Sequence, residues 1–114
     1  MVKPIPRSLL PDTVVYREKN DDGGFYGGDY KNDVTLSYVR VDELSAHELS
    51  QLTDGEKYSH LLFFDAVNSV ASAPFEFKVN SQVDFKGQTL TVQKAIPCYT
   101  FFGKLHHWEI EVGT

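Results

Sequence analysis

Cysteine occurs once in this 114-residue chain, at Cys98, and methionine and tryptophan once each. A single cysteine excludes an internal disulfide and any zinc signature built on two cysteines, and it fits a reducing, intracellular origin. Beside Pro97 and Tyr99, with no activating base marked in the sequence, Cys98 reads as a small core or loop residue rather than a nucleophile. Long apolar runs are also missing. The longest, Leu61-Leu62-Phe63-Phe64, is far too short to span a bilayer, and the start, Met1-Val2-Lys3-Pro4-Ile5-Pro6-Arg7, lacks the apolar stretch of a signal peptide. The chain therefore reads as soluble, made in the cytoplasm and without a membrane partner. Cationic excess is absent too: eleven Lys and Arg against sixteen Asp and Glu give a formal charge of -5. Affinity for nucleic acid comes largely from cations that release phosphate counterions, so tight DNA binding is excluded. Finally, Gly23-Gly24 and Gly27-Gly28 precede no Lys-Ser or Lys-Thr helix start, and no Ser-His-Asp arrangement is legible.

What is present is aromatic and alternating. Phe, Tyr and Trp make up 13% of the chain, and the apolar residues fall mostly in period-two runs, the signature of half-buried strands. A chain of this length can bury roughly two-thirds of its unfolded surface, enough for a core without staples. The expectation is a mainly β fold, a small antiparallel β-barrel or sandwich of about six strands, with a proline-rich arm over residues 1–12 and a single domain over 13–114.

Pro4, Pro6 and Pro11 keep the arm out of a central strand, while Ile5, Leu9 and Leu10 leave it an apolar patch for docking on its own or a neighbouring subunit. Thr13–Glu18 is the first strand. It runs into a long, glycine-rich acidic hairpin loop over about 18–33, which does not meet the EF-hand ligand spacing. Val34–Asp42 is a second strand whose apolar phase shifts from even to odd positions, predicting a bulge near Tyr38. Ser45-Ala46-His47-Glu48 matches a capping box, with Leu44 and Leu49 at staple positions, so one short helix is expected at about 46–53, held by packing on the sheet. Lys57–Val67 is apolar on both faces over four residues, a strand with one face in the barrel and the other under the helix or a neighbouring subunit.

Residues 68–74 read as a loop, 75–79 as a short strand, and 82–97 as a hairpin in which Gly87 supplies a positive φ. Leu105–Val112 closes the chain, with His106, Trp108, Ile110 and Val112 on one face and His107, Glu109 and Glu111 on the other. This patterning predicts a core of Phe63, Phe77, Val83, Phe85, Leu90, Val92, Ile96, Trp108, Ile110 and Val112. Because His106 and His107 point to opposite faces, and His47 and His60 lie on other elements, no metal site, cofactor or catalytic residue is assigned. A small metal-dependent hydrolase using His106, His107 and Glu109 is the weakest of the alternatives. A monomeric β-barrel module that binds peptide or another ligand on exposed aromatics is the stronger one.

Several segments together carry a resemblance. They are Lys3–Leu10, Phe64-Asp65-Ala66-Val67-Asn68-Ser69, Phe75–Val79, Val83–Gln88 and Leu105-His106-His107-Trp108-Glu109-Ile110. The chain resembles the small minor capsid proteins of tailed phages and prophages of Gram-positive bacteria, over most of its length. The resemblance implies a non-enzymatic virion protein of small β-barrel fold, made in the host cytoplasm and placed in the neck. There it would be a head-completion, stopper-type or head–tail connector component, assembled as a ring below the portal and adaptor and joined to tail proteins. On that expectation Ile5, Leu9, Leu10, Phe25, Tyr26, Tyr30, Leu62 and Phe64 are candidates for subunit interfaces. Asp21, Asp22, Asp29 and Asp33 are candidates for a channel loop past which DNA slides without specific binding.

Overall fold

Val14 and Tyr16 are fully buried while Thr13 is exposed and Val15, between the two, is only half-buried, so the first strand, β1 (Asp12–Arg17), shows the alternation its sequence predicts. The computed structural model describes residues 3–20, 29–52 and 58–114. The further elements are β2 (Val34–Glu43), α1 (Ala46–Ser50), β3 (His60–Asp65), β4 (Val70–Ala71), β5 (Gln82–Phe85), β6 (Gln88–Tyr99) and β7 (Leu105–Gly113). All pairings are antiparallel. They run β1–β5–β6–β7–β3–β2 and return from β2 to β1, closing a six-stranded barrel, with β4 added beside β2 at Leu36 and Ser37. Closure removes the exposed ladder edges of an open sheet, and a barrel this small is filled by side chains.

The bulge near Tyr38 is present. Pairing jumps from Thr13–Ser37 to Asp12–Val39, leaving Tyr38 unpaired with φ at 54°. That resets the inward positions from Val34 and Leu36 to Val39. A tyrosine with positive φ is strained, and neighbours hold it there. The Arg7 guanidinium lies 4.2 Å from its ring centroid, the Ser69 hydroxyl donates to its carbonyl, and the Asp12 carboxylate accepts the Val41 N–H at 2.9 Å. The β5–β6 hairpin is equally local. Lys86 and Gly87 both have positive φ, 48° and 80°, giving a two-residue turn whose twist matches the flanking strands.

A second bulge overturns one expectation. The β6–β7 register passes from Val92–Val112 to Lys94–Glu111, so Gln93 is extra and the inward parity of β6 changes from even to odd. Ala95 packs against the core and Ile96, expected there, is only half-buried and outside it. In β3 the roles of three residues are exchanged. Leu62 is fully buried and Phe64 packs on the core, whereas Phe63, expected in the core, lies on the outer face. A run apolar on both sides carries no parity of its own. Pairing of Leu62 with Ile110 and Phe64 with Trp108 decides it. Phe77, Val83, Leu90, Val92, Ile110 and Val112 are buried, and Phe85 and Trp108 pack on them.

Residues 75–79 form no strand. Side chains of β1 and the residue after it take the ladder's place: Tyr16 Oη donates to the Glu76 carbonyl at 2.7 Å and accepts the Lys78 N–H at 2.9 Å. Glu18 accepts the Glu76 N–H at 2.7 Å. Phe75 and Phe77 then pack edge-on against Tyr16 and Phe64, with centroids 5.3–5.6 Å apart, a favourable arrangement for aromatic quadrupoles. The region read as loop at 68–74 contains β4. Helix α1 keeps its capping box, with the Glu48 N–H on the Ser45 hydroxyl and the Ser45 N–H on the Glu48 carboxylate, both at 3.1 Å. It is shorter than expected, however, and buries none of its residues. Leu44 is buried and Leu49 stays 44% exposed, so local caps rather than sheet packing shape it.

Candidate functional site

Three features stand apart from the barrel core: the docked arm, a histidine corner and a bare hairpin tip. The arm is held by Asp65, a fully buried carboxylate at the end of β3. Its Oδ1 accepts the Ile5 N–H at 2.9 Å, and its Oδ2 accepts the N–H groups of Val67 and Asn68 at 3.0 and 2.7 Å. The Asn68 side-chain amide donates to the Ile5 carbonyl at 2.8 Å, so one turn reads both backbone groups of one arm residue. Leu10, expected at a subunit interface, is buried within its own chain. Leu9 is half-exposed and, with Ile5, Arg40, Asp42 and Phe63, lines a shallow hollow of about 210 Å³. Leu62 and Phe64 are likewise used within the barrel.

Of the acidic-loop candidates, Asp29 and Asp33 are exposed. Asp33 pairs with Arg17 at 3.6 Å, and Lys19 lies 5.0 Å from the Tyr30 ring centroid where the two residues bridge. Asp21, Asp22, Phe25 and Tyr26 lie outside the described residues. Near the root of this loop, Glu18 is buried and its carboxylate meets Lys31 at 2.8 Å and Lys78 at 3.2 Å. Burial works to raise the Glu18 pKa, but Lys31, the Glu76 N–H and Lys78 outweigh it and hold the group below the ordinary carboxylate range.

The histidine corner departs from the expectation of two rings on opposite faces. The β6–β7 register slips beyond the Cys98–His107 pair, leaving His106 unopposed in its ladder, and the two rings meet. Their Nδ1 atoms are 2.8 Å apart, and His106 Nε2 lies 2.7 Å from the Lys3 carbonyl oxygen. His107 Nε2 lies 2.8 Å from Glu109 Oε2, and the Cys98 thiol donates to the same oxygen at 3.2 Å. Strand alternation puts His107 and Glu109 on one face, and the ladder brings Cys98 opposite His107. The His107 and Cys98 contacts hold Glu109 below its usual pKa against the effect of burial. Burial first, and then the hydrogen bond to Glu109 and its charge, push the Cys98 thiol up to about 11.

At the same end of β6 and β7, just beyond the histidine corner, residues 100–104 form a turn closed by the Thr100 N–H on the Lys104 carbonyl at 2.7 Å. Gly103, with φ at 81°, permits the reversal. Phe101 is 94% and Phe102 77% exposed, with their rings edge to face at 5.6 Å, and Tyr99 is exposed below them. The sequence reading missed this tip. Its signal was Phe-Phe-Gly between two alternating strands, a turn bearing apolar side chains that a turn does not need.

The described residues thus form a closed, side-chain-filled barrel that carries bare aromatics at one tip. The family model described as "Minor capsid protein" matches residues 6–112, and the chain belongs to that family of structural phage proteins. No curated protein and no solved structure matches it. No helix among the described residues is long and apolar enough to cross a membrane.

Proposed function

We propose that this chain is a head-completion component of the virion neck, a stopper-type head–tail connector. It assembles as a ring below portal and adaptor, gates the DNA channel and receives the tail. The observation that carries the reading is the pair Phe101 and Phe102, presented to solvent on a closed hairpin where folding gains nothing from them. Exposed aromatic anchors of this kind mark protein contacts. Ring closure needs two different complementary surfaces on each subunit, and the tip supplies one of them. The hollow beside Ile5, Leu9 and Phe63 is a candidate for the other. A net charge of -5, with Asp21, Asp22, Asp29 and Asp33 close together in the sequence, suits a channel wall from which phosphates are repelled. On this reading the arm over residues 1–12 serves the single barrel domain as a brace.

The test is a phage carrying Phe101→Ser together with Phe102→Ser. The expected result is a folded protein missing from purified particles, with heads that lack tails and lose DNA. Infectious particles of normal yield would overturn the proposal. Deleting residues 20–32 tests gating separately: heads are expected to leak DNA although the protein is incorporated.

A further inference from the structure

We propose that Cys98, His107 and Glu109 form a binding site for one divalent cation of zinc type, oriented from behind by His106. The proposal stands independently of the neck assignment. Cys98 Sγ, a His107 ring nitrogen and a Glu109 carboxylate oxygen all lie within 4.8 Å of one another. A thiolate, an imidazole and a carboxylate are a borderline donor set that suits zinc or cobalt and disfavours magnesium and calcium. In a tetrahedral site with bonds of about 2.0–2.3 Å, donor atoms stand about 3.3–3.7 Å apart. The present contacts of 2.8 and 3.2 Å need to widen by about half an ångström or less, and the Cys98–His107 pair, within 4.8 Å, needs to close by up to about an ångström, by rotation of the side chains.

The contacts behind His107 supply a second ground. The chain Lys3 carbonyl, His106, His107, Glu109 carboxylate has three short contacts and an acceptor at each end. Three contacts take three N–H protons, which two rings hold only when one of them is charged beside the Glu109 carboxylate. A cation at His107 Nε2 would take the place of that third proton. Nε2 gives its lone pair to the metal, His107 Nδ1–H donates to His106 Nδ1, and His106 Nε2–H donates to the Lys3 carbonyl. Each remaining contact then has one proton and both rings are neutral. This is the arrangement in which a ligating histidine is fixed through its other nitrogen. Binding releases the Cys98 thiol proton and any third proton held in the chain. The dication is then balanced by one thiolate and one carboxylate, and the fourth position is open to water or to a donor of another chain. The metal would tie β6 to β7 and, through His106, fix the arm at Lys3.

The experiment is titration of reduced, metal-stripped full-length protein with Co²⁺, followed by displacement with Zn²⁺. Expected are near-ultraviolet thiolate-to-cobalt absorption and visible d–d bands saturating at one equivalent, both lost on adding zinc. Cys98→Ser should abolish the near-ultraviolet band. Glu109→Gln should weaken binding more than tenfold. His106→Gln should keep the band and weaken binding about 10–100-fold, as loss of an outer partner does. Absence of cobalt absorption in wild-type protein whose circular dichroism is intact would overturn the site. So would a zinc-induced rise in Tm of equal size in wild type, Cys98→Ser and Glu109→Gln.

Discussion

The buried polar contacts that hold the arm and the 75–79 segment are built on opposite terms from the bare β6–β7 tip. In the first region, polar groups are buried and hydrogen-bonded. Asp65 accepts three backbone N–H groups, Tyr16 accepts one and donates one, and Glu18 meets a backbone N–H and two lysines. At the tip, two apolar rings stand in water and pack mainly on each other. Burial of polar groups is costly and unburied aromatics gain nothing from the fold. The first region is thus maintained by folding, whereas the second requires a reason outside it.

Substitutions should separate the two regions by size of effect. Asp65→Ala leaves the N–H groups of Ile5, Val67 and Asn68 without their acceptor and is expected to cost about 3–5 kcal/mol, with release of the arm, read by urea unfolding and by proteolysis near Ile5. Glu18→Ala strands the Glu76 N–H and Lys78 and should cost about 2–4 kcal/mol. Tyr16→Phe keeps the ring packing but removes both hydroxyl bonds, at about 1–3 kcal/mol. Gly87→Ala meets no atom within 4 Å. Its positive φ alone should cost about 1 kcal/mol, measurable as a fall of several degrees in Tm. Smallest of all, Phe101→Ser with Phe102→Ser should leave stability within about 0.5 kcal/mol while removing assembly. A large loss of stability from that last pair would erase the contrast.

Acid sharpens the same comparison. Glu18, Asp84 and Glu109 are held below the ordinary carboxylate range. Asp84 is lowered first by its hydrogen bond to Arg17 and next by Thr89. A depressed folded pKa adds stability that is present above the unfolded value and is lost as pH falls through the folded one. Unfolding midpoints should therefore fall below about pH 4. Glu18→Gln should flatten that limb, and the tip variant should leave it unchanged.

Legibility followed the range of the cause. The Tyr38 bulge was visible because a shift from even to odd apolar positions within one strand has no other simple account. The turn at Lys86-Gly87 and the Ser45–Glu48 cap were visible because their determinants lie within four residues. Phe63 was misplaced because its neighbours are apolar on both sides, and Ile96 because the extra residue at Gln93 is polar and unremarkable. The strand expected at 75–79 failed on a nonlocal competitor: Tyr16 and Glu18 take its backbone groups from some 60 residues away.

The sequence by itself determined the class: alternating runs, too few cysteines and cations for other chemistries, and punctuation that sets each hairpin. It also carried the family. Only the tertiary structure decided parity and partnership: Leu62 inside and Phe63 outside, Asp65 on the arm, and Cys98 facing His107 and Glu109. Side chains in a strand alternate with period two, so one unseen bulge reverses every assignment beyond it. Which atoms then meet depends on ladders that join residues distant in the chain.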